Sequence, residues 1–246
     1  MRVQKDSFLL NVPVAHRGLH DISKGIPENS YKAFDEAMTA GYAIETDIRF
    51  TADGKIVLFH DDELSRLTDG NGKVYDKTYR ELSALGLKGT TERIPLFSEF
   101  LEHVGGKVPL LIEIKDQPER SDLVKEAAAL LKSYRGEYAL QAFNPFYLLQ
   151  MKKYAPDALR GQLGCFYGKF SLKSYIIKNM NLNFMTNPDF ISYSISDLPF
   201  PKARRKDTVL LGWTVRSEDA YAHVKDLVDN VIFENIRPPI KHKTDA

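Results

Sequence analysis

A (β/α)8 barrel, an α/β fold of the TIM type, is what this sequence predicts, and three observations predict it. About eight apolar or β-branched runs alternate with amphipathic runs along 246 residues, the size and pattern of that barrel. The first three elements read strand, helix, strand, a unit that implies parallel pairing. A doubly wound sheet would also alternate, but no Gly-rich phosphate loop follows the first strand, which weighs against it. The chain therefore reads as a single domain, residues 1–246, with a small insertion after the second strand at about 61–95.

The elements follow in order. Residues 12–16 (VPVAH) form a short buried strand with Val12, Val14 and His16 on one face, and the chain must turn at Arg17-Gly18. A loop carrying Gly25 and Pro27 leads through Glu28-Asn29-Ser30 into a helix. Its apolar positions Tyr31, Phe34, Ala37 and Met38 share a face, and Gly41 stops it. Asn29 reads as the helix N-cap in preference to a ligand. Residues 43–48 form a strand, Thr51-Ala52-Asp53-Gly54 a turn, and residues 55–59 a very apolar returning strand that delivers His60-Asp61-Asp62. Residues 64–91 are polar and turn-rich, with a short helix at 79–85, and read as an excursion over one side of a site. A helix at 95–104 precedes a strong strand at 109–115. The remainder keeps the alternation, with helices at 123–134, 146–154, 172–178 and 217–228 (capped by Ser217), and strands at 138–142, 159–163, 190–193, 209–215 and 231–233.

Composition excludes several classes. Hydrophobic content of 43% and charged content of 27% suit an ordinary globular chain, and a net charge of +1 does not suggest nucleic acid as a partner. A single cysteine, Cys165, rules out an intramolecular disulfide and suits a reducing compartment. The N-terminal residues have no sustained apolar core of signal-peptide length, and no run approaches transmembrane length. Together these lead to the expectation of a cytoplasmic protein.

The chemistry lies at strand ends. Side chains alternate along a strand, so Glu45 and Asp47 point to one face, roughly 6.5–7 Å apart at Cα. Glu113 and Lys115 share a face with Leu111 on the later strand. In a barrel, C-terminal strand ends converge on one rim, which would gather His16, Arg17, Glu45, Asp47, His60, Glu113 and Lys115. Charged groups in strand interiors are unfavourable unless paired or bound to metal. Glu45, Asp47 and Glu113 form an all-oxygen set suited to Mg2+ or Ca2+, whereas zinc would favour more His or Cys. The competing reading is a set of structural ion pairs with Arg17, Lys115 and Arg49. His16 and His60 are candidates for general acid and base, and Arg17 and Lys115 for an anionic substrate. Phe143, Phe166, Tyr167 and Trp213, near strand ends, would wall an apolar side of the pocket or belong to the core. His20, His103, His223 and His242 read as ordinary surface residues. The run Lys202-Ala203-Arg204-Arg205-Lys206 reads as a solvated helix end, and Cys165 receives no role.

These residues resemble the glycerophosphodiester phosphodiesterase family. The resemblance rests on His16-Arg17-Gly18, Pro27-Glu28-Asn29-Ser30, Glu45-Thr46-Asp47, Thr51-Ala52-Asp53-Gly54, His60-Asp61 and Glu113-Ile114-Lys115. It continues more weakly at Gln141-Ala142-Phe143-Asn144 and Gly212-Trp213-Thr214-Val215. It implies a barrel with an insertion after the second strand, metal ligands at Glu45, Asp47 and Glu113, an acid–base pair at His16 and His60, and phosphate contacts at Arg17 and Lys115. The implied reaction is hydrolysis of a glycerophosphodiester to sn-glycerol 3-phosphate and an alcohol. A lysophospholipase D-type phosphodiesterase and a non-catalytic binding module on the same fold are the alternatives. The family usually has a Thr-Asp-x-Pro-like turn after the last strand. Here the run is Phe233-Glu234-Asn235-Ile236-Arg237-Pro238, which is expected to alter the leaving-group side without touching the metal or acid–base residues.

Overall fold

The computed structural model describes residues 3–117, 122–166, 172–199 and 208–241. Its elements run α1 (Phe8–Asn11), β1 (Val14–Ala15), α2 (Tyr31–Thr39), β2 (Ala43–Phe50), β3 (Ile56–Leu58), α3 (Tyr79–Leu82), α4 (Phe97–Val104), β4 (Leu110–Ile114), α5 (Leu123–Leu131) and β5 (Tyr138–Ala142). There follow α6 (Pro145–Tyr154), β6 (Leu159–Gly164), α7 (Leu172–Lys178), α8 (Asn183–Thr186), β7 (Phe190–Ser194), β8 (Val209–Val215), α9 (Glu218–Val224) and β9 (Asn230–Phe233). Parallel pairing runs β1-β2-β4-β5-β6-β7-β8-β9 and closes through β9 onto β1, the (β/α)8 barrel the alternation predicts. β3 is added antiparallel to the far end of β2, with Ile48 opposite Leu58.

Two apolar layers hold the barrel. Inside it, Val14, Ala43, Leu111, Ala139, Phe190, Val209, Leu211 and Ile232 pack together. Phe8 and Leu9 of α1 close the interior at the N-terminal ends of the strands. A four-residue helix is too short to show a period, so α1 leaves no signal in the sequence. Outside, the amphipathic helices cover the other strand faces, so most strand residues are buried on both sides. In α2, Ser30 accepts the Ala33 N–H as N-cap, and Phe34 packs against Phe100 with the rings tilted by 55° and their centroids 4.6 Å apart. Burying one such ring contributes about 1.5–3 kcal/mol. Several helices end short of their sequence expectation: α5 stops at Leu131 and α9 at Val224. No helix among the described residues is long and apolar enough to cross a membrane.

Gly161 shows how tightly the interior is filled. It lies opposite Phe190 in the β6–β7 register, and a Cβ there would meet the Phe190 ring at 2.2 Å. Gly161→Ala is therefore expected to destabilise the protein by about 1–3 kcal/mol, read as a lower urea midpoint. An unchanged midpoint would mean that the ring can yield.

The segment after β3 has its own small core. Leu64, Leu67, Val74, Leu82, Leu87 and Ile94 pack on Val57 and Phe59 of the returning strand. Its helix α3 begins in a capping box, Thr78 with Glu81, and stops at Leu82, shorter than the expected 79–85. This excursion thus braces the hairpin that carries His60.

Candidate active site

The parallel barrel brings all strand C-termini to one rim, where the site forms. There a cavity of about 310 Å3 is lined by His16, Arg17, Glu45, His60, Glu113 and Lys115, with Phe143, Trp213 and Cys165 among its other walls. Phe143 and Trp213 meet edge to face at 5.7 Å, and Trp213 Nε1 is buried with no hydrogen-bond partner. Phe166 does not line this cavity; its ring lies under the Lys178 ammonium at 4.4 Å. Tyr167, the basic run at 202–206 and His242 lie outside the described residues.

β2 supplies two of the carboxylates. Glu45 and Asp47 share a face as the strand period requires, and Asp47 lies directly opposite Glu113 in the β2–β4 register. All three are buried, and oxygens of the three lie within 4.8 Å of one another. Glu45 Oε2 accepts the backbone N–H of Arg17 at 3.0 Å, while Glu45 Oε1 is buried without a partner. Burial, with the neighbouring charges of Asp47 and Glu113, holds the Glu45 carboxyl well above the ordinary carboxylate range. Burial would raise Asp47 as well, but Lys115, His60, Arg17 and His16 outweigh it and hold that carboxyl well below. An orphaned oxygen in a buried, mutually repelling all-oxygen set fits a hard divalent cation.

The two cations meet this cluster. Lys115 Nζ lies 2.6 Å from Glu113 Oε1 and 3.1 Å from Asp47 Oδ1. Arg17, in the left-handed region at φ 56°, starts the turn completed by Gly18 at φ 78°. Its guanidinium grips Glu28 at 2.7 Å and lies 3.5 Å from Asp47. Arg49, the third cation of the ion-pair reading, goes elsewhere. Its Nε and Nη2 donate to the His60 carbonyl at 3.0 and 2.6 Å, and Nη1 pairs with Asp62 at 2.5 Å. It fixes the His60 backbone rather than neutralising the carboxylates.

Both histidines are held by carboxylates. β3 returns antiparallel, Phe59 N–H donates to the Asp47 carbonyl at 3.0 Å, and His60 follows at the rim. His60 Nδ1 lies 2.6 Å from Asp61 Oδ1, and Arg66 of the excursion clamps Asp61 and Glu28 together. His16 Nε2 lies 3.8 Å from Glu45 Oε2, and its Nδ1 lies 2.5 Å from Glu234 Oε1. Burial lowers the His16 pKa from its ordinary value against the opposing pull of Glu234.

Three sequence expectations need correction. Asn29 is not the N-cap; Ser30 is. Asn29 sits at φ 52°, which its short polar side chain tolerates, donates to Asp47 Oδ2 at 3.0 Å and accepts from Thr46 Oγ1 at 2.7 Å. It orients a carboxylate of the cluster. The run after the last strand does touch an acid–base candidate, since β9 pairs with β1 and Glu234 therefore falls beside His16. His20 is not an ordinary surface residue, because its side chain is 18% exposed and lies 3.8 Å from the same Glu234. The strand-end rule that selected Glu45 and Glu113 would have found Glu234 as well, whereas nothing in the turn-rich sequence around Arg66 marks it.

The class of this enzyme, a phosphoric diester hydrolase, follows from its relatives. Residues 16–237 match the model of the glycerophosphoryl diester phosphodiesterase family, and the chain belongs to that family. It is 31% identical over 234 residues to a glycerophosphodiester phosphodiesterase of Caldanaerobacter subterraneus, covering 90% of this chain and 93% of that one. Among solved structures, an Oleispira antarctica phosphodiesterase in complex with the product sn-glycerol-3-phosphate superposes with TM-score 0.75 at 24% identity, covering 93% of this chain and 94% of that one. A glycerophosphodiester phosphodiesterase of Agrobacterium tumefaciens gives 0.71 at 22% identity, covering 92% of this chain and 96% of that one. At those identities the structural likeness speaks for the fold.

Proposed function

We propose that the chain is a metal-dependent glycerophosphodiesterase that releases sn-glycerol 3-phosphate and an alcohol. The observation that carries this reading is the convergence at one cavity of two carboxylate-backed histidines with the buried trio, of which Glu45 and Glu113 line the cavity and Asp47 lies buried beside them. The trio would hold one Mg2+ or Ca2+, which when bound would polarise the phosphoryl oxygens. Arg17 and Lys115 contact the same phosphate and offset the charge that builds on it. One histidine accepts the proton of the substrate's 2-hydroxyl as its oxygen attacks phosphorus; the other donates a proton to the departing alcohol oxygen. Water then opens the cyclic phosphate with the two proton transfers reversed. Phe143 and Trp213 wall the apolar side of the substrate. The reading takes residues 1–246 as one domain in which the insertion at about 61–95 braces the His60 side. A cytoplasmic setting accords with the single cysteine.

The test is release of glycerol 3-phosphate from glycerophosphocholine and glycerophosphoethanolamine, in EDTA and after Mg2+ or Ca2+ is restored. Release is expected only with metal. Release indifferent to EDTA would sink the metal assignment and leave the reaction class standing. Turnover of lysophosphatidylcholine alone would move the substrate to a lysophospholipid.

A further inference from the structure

We propose that Glu234 is the positioning residue for His16, holding the ring in the tautomer and orientation that leave Nε2 available in the cavity. The inference deepens the reading of His16 as an acid–base group and rests on it. The backbone places Glu234 from two sides. Phe233 pairs with Ala15 across β9 and β1, His16 N–H donates to the Phe233 carbonyl at 3.0 Å, and Glu234 N–H donates to the Val215 carbonyl of β8 at 2.9 Å. The side chain is then shared: Oε1 faces His16 Nδ1 at 2.5 Å, and Oε2 accepts from Arg216 Nε at 2.7 Å. Both partners of the His16–Glu234 contact are only 10% exposed. A carboxylate accepts and does not donate, so it selects the imidazole proton at Nδ1. The other nitrogen, 3.8 Å from Glu45, is left on the cavity side.

His60 has the same construction. Asp61 faces its Nδ1 at 2.6 Å and is in turn clamped by Arg66. Each histidine is thus backed by a carboxylate, and each carboxylate by an arginine. At His60 the backing residue is the next in the chain; at His16 it arrives from the last strand, 218 positions away. Charge-assisted hydrogen bonds of this kind orient a ring more strongly than neutral ones do.

Glu234→Gln makes the test sharp. The amide has one acceptor oxygen where the carboxylate has two, and keeping the 2.7 Å Arg216 contact with that oxygen turns its NH2 group to His16 Nδ1. His16 must then accept at Nδ1 and carry its proton on Nε2, the unproductive tautomer. The 15N spectrum of histidine-labelled protein, with the His16 signal identified by its loss in His16→Ala, should show the Nδ1–H form in the parent and the Nε2–H form in Glu234→Gln. Turnover of glycerophosphocholine with metal restored should show kcat lower by about 10²–10⁴-fold with little change in KM, between the loss typical of an outer-shell partner and that of a triad's orienting carboxylate. Glu234→Asp should recover part of that loss. In a His16→Ala background, Glu234→Gln should change kcat by less than about twofold, because residues that act as a unit are not additive.

An Nε2–H tautomer in the parent overturns the proposal, and that spectrum requires no variant of Glu234. Full activity in Glu234→Gln overturns it, as does a loss of the same size in the His16→Ala background. If His16→Ala itself keeps full activity, the assignment of His16 fails first and takes this inference with it.

Discussion

His60→Ala should lower kcat for release of glycerol 3-phosphate by about 10²–10⁴-fold, the contribution expected of a positioned general acid or base. The fold should survive. His60 is about one-third exposed at the rim, and the hairpin beneath it is held by the apolar contacts of Val57 and Phe59 rather than by the imidazole. Removing the ring leaves Asp61 paired with Arg66 and leaves Arg49 on the residue-60 carbonyl. Circular dichroism and the urea midpoint should therefore stay near the parent's. Divalent-cation binding, measured by titration calorimetry, should also persist, because His60 gives no atom to the carboxylate trio. A variant that loses its fold would show His60 to be structural. One that keeps full turnover would remove it from the reaction and leave the proton transfers to other groups.

The barrel was legible because it rests on two periods that the letters carry directly. Strand alternation put Glu45 and Asp47 on one face, and the same alternation put Glu113 of β4 and Lys115 just after it together. The parallel closure then brought both strands to one rim, so the carboxylate trio followed from period and topology alone. What escaped the reading depends on geometry between distant segments. The closure of β9 against β1 follows from the barrel, but that the Glu234 side chain turns to His16 Nδ1, 218 positions away, is not carried by any period. Arg66 reaches Glu28 and Asp61 only through the path of a turn-rich excursion that shows no period. Asn29 misled for a different reason. It precedes a helix and belongs to the residue types that cap, but Ser30 is equally suited, and local propensity cannot say which of two adjacent candidates takes the cap. The left-handed backbone at Asn29 frees its side chain for Asp47 instead.

Glu45→Gln separates a metal site from a structural ion-pair network, because the two readings predict opposite effects on stability. Glu45 is buried beside Asp47 and Glu113, accepts one backbone N–H, and has its second oxygen unpartnered. Its charge is thus disfavoured in the metal-free protein, by burial first and by its two acidic neighbours next. An amide of the same shape removes that repulsion, so in EDTA the urea midpoint of Glu45→Gln should equal or exceed the parent's. Added Mg2+ or Ca2+ reverses the order. A ligand that binds only the folded state adds about 2.7 kcal/mol of stability when present at a hundred times its Kd. The parent should gain that increment and the variant should lose most of it. Replacing groups that merely orient ligands already weakens metal binding by about 10–100-fold, and loss of a ligand oxygen should do no less. Turnover should fall with metal occupancy and recover in part at high metal concentration. If instead Glu45→Gln is the less stable protein in EDTA, and metal stabilises neither protein, the carboxylates serve Arg17 and Lys115 as structural partners and the metal assignment is wrong. The expected pattern, a substitution that strengthens the empty protein and weakens the loaded one, is what a site built for a cation should show. In such a site the carboxylates would be held together at the expense of stability whenever the ion is absent.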